Sequence, residues 1–347
     1  MPVSILNPES WTLLQSIIVF SLCALVIAIA GTRITRVVDQ LADRTGLGEA
    51  TAGAVLLGAA TSLSGSVLSV TAAYRGHAEL AVSNALGGIA VQTFFLAIAD
   101  MVYRRANLEH AAASAPNMMQ NGLLIALLAL ILLAPTLPDV TLWQVHPITP
   151  ILIGFYLYGT RLIQGAWESP MWRPSITRDT REDKPEALNR IPPLARLWTE
   201  FVVLMGTLGA AGLALEPAAT TISTEAGLSQ TVVGILLTAI STSIPELVTS
   251  VAAVRRGALT LAVGGIIGGN AFDTLFMAAS DIAYRDGSIY HTMDADTERW
   301  VTLTLLMAAI LIMGLIRRER YGLGRIGAES LAIMMLYILG VALMFSG

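Results

Sequence analysis

The chain has 347 residues, of which 54% are hydrophobic and only 13% charged, and its formal net charge is -4. This composition excludes a water-soluble globular fold and indicates a protein that lies in a lipid bilayer. Apolar blocks near membrane-spanning length recur along the chain, at residues 11–31, 122–135, 201–215, 301–315 and 330–345.

The first apolar block follows no basic region and precedes no small-residue cleavage site, so we interpret it as a retained helix rather than a secretory signal. Its Cys23 is the only cysteine and can form no internal disulfide. The whole pattern predicts an all-α integral membrane protein with about ten transmembrane helices.

An internal repeat organises the chain, because a shift of 181 residues aligns residues 45–105 with residues 226–286 without a gap. Identical pairs include Gly46/Gly227, Thr61/Thr242, Ser62/Ser243, Arg75/Arg256, Gly88/Gly269, Thr93/Thr274, Asp100/Asp281 and Tyr103/Tyr284. Five spans per half is an odd number, so the second half must enter the membrane from the opposite side. We therefore predict two inverted five-helix repeats, residues 1–164 and 196–347, joined by a cytoplasmic linker at 165–195.

The basic residues test this topology independently, since cytoplasmic loops of membrane proteins hold most of them. With the N-terminus outside, only Arg75, Arg285 and Arg299 of the 21 Lys and Arg residues fall on the outer side. This bias favours a multi-pass protein of the plasma (inner) membrane with an outside N-terminus.

Two acidic residues lie within predicted membrane helices, where a carboxylate costs roughly 2.5 to 3.5 kcal/mol and usually has a functional reason. Glu246 lies in the segment TSIPEL and Asp273 in GGNAFD. Helical spacing places Thr242 and Ser243 beside Glu246 and Asn270 beside Asp273. The pattern predicts an oxygen-rich cluster on two neighbouring helices.

This cluster has the chemistry of a site for a hard cation such as calcium, sodium or a proton. Pro245 has no N–H for the carbonyl of Ser241, which becomes available as a further ligand. Gly268 and Gly269 would let another helix approach closely. The alternative, protonated and hydrogen-bonded core carboxyls without a ligand, remains open for both acids.

Other charged residues have simpler interpretations. Asp100 and Asp281 precede Arg104 and Arg285 by four residues and are expected to form helix-end ion pairs. The acidic run from 286 to 298 is expected to cap a helix start. The histidines fall in predicted loops or helix ends, where proton sensing is a further possibility: His77, His110, His146 and His291.

The segments TSIPEL and GGNAFD, two helices apart, resemble the signature of the cation/calcium exchanger superfamily, and the resemblance covers essentially the whole chain. The resemblance implies a ten-helix bundle of two inverted repeats. It also implies that Glu246 is the principal cation ligand of the second half, Asp273 its acidic partner, and Thr242 and Ser243 the flanking oxygens.

The first half departs from that signature. TSLSGS places Ser64 and Gly65 where Pro and Glu are expected, and GGIAVQ places Ile89 and Gln92 at the later amide positions. One usual carboxylate is therefore missing, and the first half offers Thr61, Ser62 and Gln92. Gly88 and Gly269 stand where the family often has serine, which weakens the case for sodium. Backbone carbonyls, Ser66, Asn84 or water are the candidates to replace the lost acid.

The function expected from these residues is secondary antiport, most simply calcium exchanged for sodium or protons by alternating access. The rival interpretation is a non-transporting exchanger homologue that serves as a cation sensor or membrane scaffold. No nucleophile with a base and no His-rich metal motif lies at membrane depth, so we do not expect an enzyme. The expected partners are the bilayer and inorganic cations, without nucleic acid or a resident cofactor, and the oligomeric state stays open.

Overall fold

The protein is described from a computed structural model, which covers residues 11–45, 54–103, 106–168, 175, 192–322 and 326–346. Helices account for most of these residues, and the two halves follow the same order of elements. The helices are α1 Leu13–Thr45, α2 Ala54–Thr61, α3 Leu63–Tyr74, α4 Ala78–Val102, α5 Leu108–Ala111, α6 Ala115–Leu133, α7 Ile148–Glu168, α8 Leu194–Ala226, α9 Gln230–Val232, α10 Ala239–Thr242, α11 Ile244–Arg256, α12 Leu259–Ala283, α13 Ala295–Arg317 and α14 Ala328–Met344.

Six of the described helices are long and apolar enough to cross a membrane: α1, α4, α6 with its 3-10 extension, α8, α12 and α13. The bent pair 230–242 and 244–256 adds a seventh when it is counted as one span, with a bend of 44°. The five apolar blocks predicted from the sequence all fall in helices. The prediction of a helical membrane protein is thereby confirmed.

The internal repeat extends beyond the residues that sequence identity marks. Shifting the bounds of α1 by 181 residues reproduces the bounds of α8, and the same shift takes α4 onto α12. It also takes α5 onto the 3-10 turn Ile289–Thr292. Because the two long first helices share little sequence, the matching bounds show that the duplication includes them. The two first helices also pack against each other.

Two equivalent buried aspartates hold the loops that follow their helices, α4 and α12. Asp100 accepts hydrogen bonds from the backbone N–H of Leu108 (2.6 Å) and Gly327 (2.9 Å). Asp281 accepts them from Ile289 (3.1 Å) and His146 (2.8 Å), which are the positions 181 residues away. The same contact thus occurs twice, once in each half of the chain.

These contacts correct the predicted helix-end ion pairs. Asp281 is fully buried and also accepts a hydrogen bond from the Thr149 hydroxyl at 2.6 Å, whereas no ion pair with Arg285 is found in the described part of the chain. Arg104, the predicted partner of Asp100, lies outside the described residues. A buried carboxylate needs hydrogen-bond donors within the protein, and the loop backbone supplies them.

Two smaller predictions concern segment ends. Asp294 caps α13 and accepts a hydrogen bond from the backbone N–H of Thr297 at 2.7 Å, so the capping interpretation of the acidic run is confirmed there. The predicted linker 165–195 lies mostly outside the described residues, although α7 continues to Glu168 and α8 begins at Leu194. Helix therefore extends a few residues into both ends of that segment.

Candidate cation site

The candidate site lies where two interrupted helices meet. The interruptions fall at Ser62, between α2 and α3, and at Ser243, between α10 and α11, which are equivalent positions of the two repeats. Both serines have nearly the same non-helical backbone, with φ -84° and ψ 2° at Ser62 and φ -97° and ψ 2° at Ser243. Pro245 explains the second break, since it has no N–H to donate within a helix. A π-helical turn at Val233–Thr238 is a second departure from regular α-helix before the break at Ser243.

The sequence predicted Glu246 within one continuous helix. It lies instead in the first turn of α11, directly after the break. Its side chain is 6% exposed. The Ser62 hydroxyl donates to Glu246 Oε1 at 3.3 Å, and the Thr61 hydroxyl also interacts with this carboxyl. Oε2 is buried without a hydrogen-bond partner. The first half therefore supplies hydroxyl groups to the acid of the second half.

Asp273 contacts the residue at the equivalent position of the first repeat. Gln92 is its equivalent in the first half, and Gln92 Nε2 donates to Asp273 Oδ2 at 2.6 Å. The same amide nitrogen lies 3.4 Å from the Ser243 hydroxyl oxygen. Asp273 Oδ1 and Gln92 Oε1 are both buried without a partner. The contact between equivalent residues places the site at the interface of the two repeats.

A small cavity opens between these groups, with room for about one water-sized species. Its lining combines two carboxyls, two amides and three hydroxyl groups with small and aromatic residues. The lining residues are Ser62, Gly65, Asn84, Ala85, Gly88, Gln92, Thr242, Ser243, Glu246, Asp273 and Phe276. Oxygen is thus the predominant ligand atom, as hard cations prefer.

Asn84 takes part in the site at the place where the first half lacks an acid. Its amide nitrogen donates to the Gly65 carbonyl at 3.1 Å and to the Ser69 hydroxyl at 2.8 Å, while Oδ1 is buried without a partner. The equivalent residue of the second half is Gly265. Asn84 was one of several candidates in the sequence, and only its packing against Gly65 distinguishes it. Ser66 instead donates to the Leu63 carbonyl and does not line the cavity.

Six of the eight residues predicted for the site line the cavity: Glu246, Asp273, Thr242, Ser243, Ser62 and Gln92. Thr61 lies beside Glu246 but outside the lining, and Asn270 donates to the Thr93 hydroxyl at 2.9 Å. No group of three or more His, Cys, Asp or Glu residues suited to a metal ion occurs among the described residues. Any ion held in the cavity would depend on amide and hydroxyl oxygens beside the two carboxyls.

The glycines of α12 lie against both neighbouring side chains and a neighbouring helix backbone. A Cβ atom at Gly268 would lie 3.3 Å from Gln120 Nε2, and one at Gly269 would lie 3.5 Å from Gln92 Oε1. The close helix approach predicted there occurs at Gly269, whose Cα atom lies 3.9 Å from the position of a Cβ at Gly58 of α2. A closer one occurs at Gly87, the mate of Gly268, where a Cβ would lie 2.8 Å from the Ile235 Cα atom. Gly88 faces Ser243 and Asp273 and leaves room for their polar atoms.

Sequence reasoning overlooked Glu216, a fully buried acid in α8. Arg75 donates to Glu216 Oε2, and His77 Nδ1 lies 2.8 Å from Oε1. These contacts connect α8 with the turn between α3 and α4, away from the cavity. The signal available in the sequence was a single acid within an apolar stretch, directly before Pro217.

A family model described as sodium/calcium exchanger protein matches residues 15–160 and 197–346. The chain belongs to this family. The predicted resemblance is confirmed over both halves, and the family is one of multi-pass membrane transporters.

Named relatives agree with this assignment. CaxA, a candidate antiporter of Alkalimonas amylolytica, is 27% identical over 258 residues, which cover 73% of this chain and 76% of CaxA. The sodium/calcium exchanger MaX1 of Methanosarcina acetivorans is 30% identical over 119 residues, which cover 34% of this chain and 32% of MaX1. The exchanger family therefore includes antiporters that are similar to this chain.

Solved exchanger structures share the fold. The H+/Ca2+ exchanger CAX superposes with a TM-score of 0.70 at 14% identity, over 96% of this chain and 82% of that one. The sodium-calcium exchanger NCX_Mj superposes with a TM-score of 0.60 at 16% identity, over 95% and 99% of the two chains. This exchanger family member thus has the helical membrane fold of both structures.

Proposed function

We propose that the protein is a secondary active cation antiporter that exchanges calcium for sodium or protons by alternating access. Glu246 and Asp273 are the cation ligands of this proposal, assisted by Ser62, Thr242, Ser243 and Gln92. Thr61 contacts the Glu246 carboxyl from outside the cavity lining. Asn270 donates a hydrogen bond to Thr93, which joins α12 to α4. The coupling ion is the open choice between sodium, as in NCX_Mj, and protons, as in CAX.

One observation carries the proposal. Four side chains around the cavity each keep a buried oxygen atom without a hydrogen-bond partner: Asn84 Oδ1, Gln92 Oε1, Glu246 Oε2 and Asp273 Oδ1. Buried polar atoms are nearly always paired, so four oxygens without a protein partner around one cavity are available to coordinate a cation there. Two carboxylates would neutralise one divalent ion, with the amides and hydroxyls completing its coordination.

The proposal also includes ten transmembrane helices in two inverted repeats with the N-terminus outside. The repeated helix bounds and the paired interruptions at Ser62 and Ser243 support the two repeats. The loop contacts support the topology, because Asn107 donates to the Glu319 carbonyl at 2.9 Å and Gly327 binds Asp100. All of these residues lie in segments that the basic residues assign to the cytoplasmic side.

Exchange follows from the charge of the empty site. Two ionised carboxyls in a low-dielectric interior resist the passage from one side of the membrane to the other until a cation or protons neutralise them. The protein therefore reorients with one ligand bound and returns with its competitor.

The direct test is calcium flux into proteoliposomes of the full-length protein under an imposed sodium gradient and, separately, an imposed pH gradient. We expect flux to follow one of the two gradients and to cease when that gradient is collapsed by an ionophore. Calcium binding without flux under either gradient would contradict antiport and favour a cation sensor.

A second prediction concerns the acid that the first half lacks. Gly65→Glu meets no clash at its Cβ atom, which would lie 3.4 Å from Thr242 Oγ1 and 3.5 Å from Phe276 Cε2, and the rest of the side chain would occupy the cavity that Gly65 lines. The added carboxylate would raise the negative charge of the cavity and strengthen sodium dependence of calcium flux by roughly tenfold. Gly65→Gln has nearly the same size without the charge and is the matched control. Equal sodium dependence in both variants would count against the proposed role of this position.

A further inference from the structure

A cluster of titratable side chains lies outside the cation site, where the loop between α6 and α7 meets the 3-10 turn before α13. The loop contributes Asp139 and His146, and the turn contributes Tyr290 and His291. The His146 ring lies 5.5 Å, centroid to centroid, from both the Tyr290 and the His291 rings. His146 and Tyr290 are fully buried. The cluster is therefore a packed contact between two segments of the chain.

His146 joins the loop to α12 and to the start of α7. Its backbone N–H donates to Asp281 Oδ2 at 2.8 Å. Its ring atom Nδ1 accepts a hydrogen bond of 3.2 Å from the N–H of Ile148, the first residue of α7. The Pro138 carbonyl also faces the ring. Because Nδ1 is an acceptor, this arrangement requires a neutral imidazole with its proton on Nε2.

His291 holds the same loop from the 3-10 turn. Its Nε2 lies 3.0 Å from the Leu137 carbonyl oxygen, which can only accept, so Nε2 is the donor. Its Nδ1 lies 3.0 Å from the Ser288 hydroxyl oxygen and 3.6 Å from Asp139 Oδ1. Two neighbouring imidazole rings thus hold the loop, one on each side of the contact.

Protonation of His146 breaks its contact with α7. An imidazolium has no lone pair for the Ile148 N–H, and its positive charge at the start of a helix opposes the helix dipole. Burial, followed by the charge of His291, lowers the pKa of His146 from its ordinary value of 6.5. The Asp281 and Asp139 carboxyls act in the opposite direction and are outweighed.

The other half of the chain has the backbone contact without this ring. Gly327 stands at the position of His146, and its N–H donates to Asp100 as that of His146 donates to Asp281. The aspartate and its backbone donor are therefore common to both halves, whereas the imidazole at this position occurs in one.

We propose that His146 is a pH switch for the loop between α6 and α7: the neutral ring holds the loop on α12 and on the start of α7, and protonation releases it. Asp281, which binds the loop, lies about two helical turns after Asp273 in α12. Release therefore frees the end of the helix that carries a proposed cation ligand. In the proposed topology the loop lies outside, so the switch responds to the external pH.

The sign of the pH dependence follows from the lowered pKa. The closed contact prefers the neutral ring, so it is most stable above pH 6.5, the ordinary pKa of histidine. Its stability decreases as the pH falls from 6.5 through the lowered pKa of the closed state and is constant at still lower pH.

The test is hydrogen–deuterium exchange of the full-length protein in lipid nanodiscs between pH 5.5 and 7.5, corrected for the intrinsic pH dependence of exchange. The amides of His146 and Ile148 report the contact directly, because both donate to it. We expect the opening of this segment to increase severalfold as the pH falls across that range, with about tenfold as the limit for the uptake of one proton.

His146→Asn removes the titration and keeps the acceptor. An Asn side chain accepts a hydrogen bond from the N–H two residues later and stays neutral at every pH. We therefore expect the opening of the segment in this variant to be independent of pH. His77→Asn, the same change at a histidine of the turn between α3 and α4, should retain the wild-type profile of the segment.

A second variant decides the matter if His146→Asn leaves the segment open at every pH. His291→Gln keeps an N–H for the Leu137 carbonyl and removes the neighbouring charge, which raises the pKa of His146 and should reduce the increase in opening. A wild-type profile in His146→Asn or in His291→Gln would overturn the proposal, as would a wild-type segment that does not open as the pH falls. Exchange is measured without calcium flux, so the antiport proposal is tested separately.

Discussion

Glu246→Gln is expected to lower calcium flux by roughly a hundredfold, because removing one member of a buried charged cluster costs about 3 kcal/mol or more. Gln preserves the shape of the side chain and its contact with Ser62, so the change isolates the charge. Asp273→Asn should have a comparable effect, since Asp273 carries the other carboxyl of the cavity. The measurement is initial calcium uptake into proteoliposomes, together with calcium binding in detergent.

The matched control is Glu79→Gln, the same chemical change at an exposed position in the first turn of α4. This variant should transport at the wild-type rate. If all three variants and the wild type showed equal flux, the cavity would not be the transport site.

The second large effect is expected from a change that adds only one methyl group. A Cβ at Gly212 of α8 would lie 2.5 Å from the Ser64 carbonyl oxygen, which belongs to the backbone and cannot rotate away. Gly212→Ala must therefore push α8 away from α3 and displace the neighbouring Gly65. We expect a loss of about 1 to 3 kcal/mol in stability and reduced transport.

Gly206 of the same helix is the control, since nothing lies within 4 Å of the Cβ that an alanine would add there. Thermal unfolding of both variants in the same detergent should show a lower midpoint for Gly212→Ala only. Equal midpoints would contradict the tight packing of α8 against α3.

The repeat could be predicted from the sequence because identical residues recur at a constant spacing. Glycine, arginine and aromatic positions return after 181 residues, and the helix bounds follow the same shift even where identity is lost, as between α1 and α8. Helix limits depend mainly on nearby residues such as Pro245 and the Ser62 and Ser243 pair. Where identity is kept, the sequence predicts the repeat; where identity is lost, as between α1 and α8, only the structure shows it.

The two acids that line the cavity could be picked out for a different reason. Glu246 and Asp273 stand out because an acid in an apolar helix is costly, and this cost is visible without knowing any neighbour. The prediction of neighbours was less accurate. Asn270 has the correct spacing from Asp273, yet its side chain faces Thr93 across the interface.

The sequence by itself determined the bilayer environment, the duplicated helices and the two acids. Composition, periodicity and the cost of a buried charge can all be evaluated without knowing which distant residues are in contact. Only the tertiary structure decided that Gln92 pairs with Asp273, that Asn84 donates to the Gly65 carbonyl, and that loop backbone rather than Arg285 binds Asp281. These contacts join different helices and loops, up to 181 residues apart along the chain. Their geometry depends on how the two halves pack, which no local pattern records.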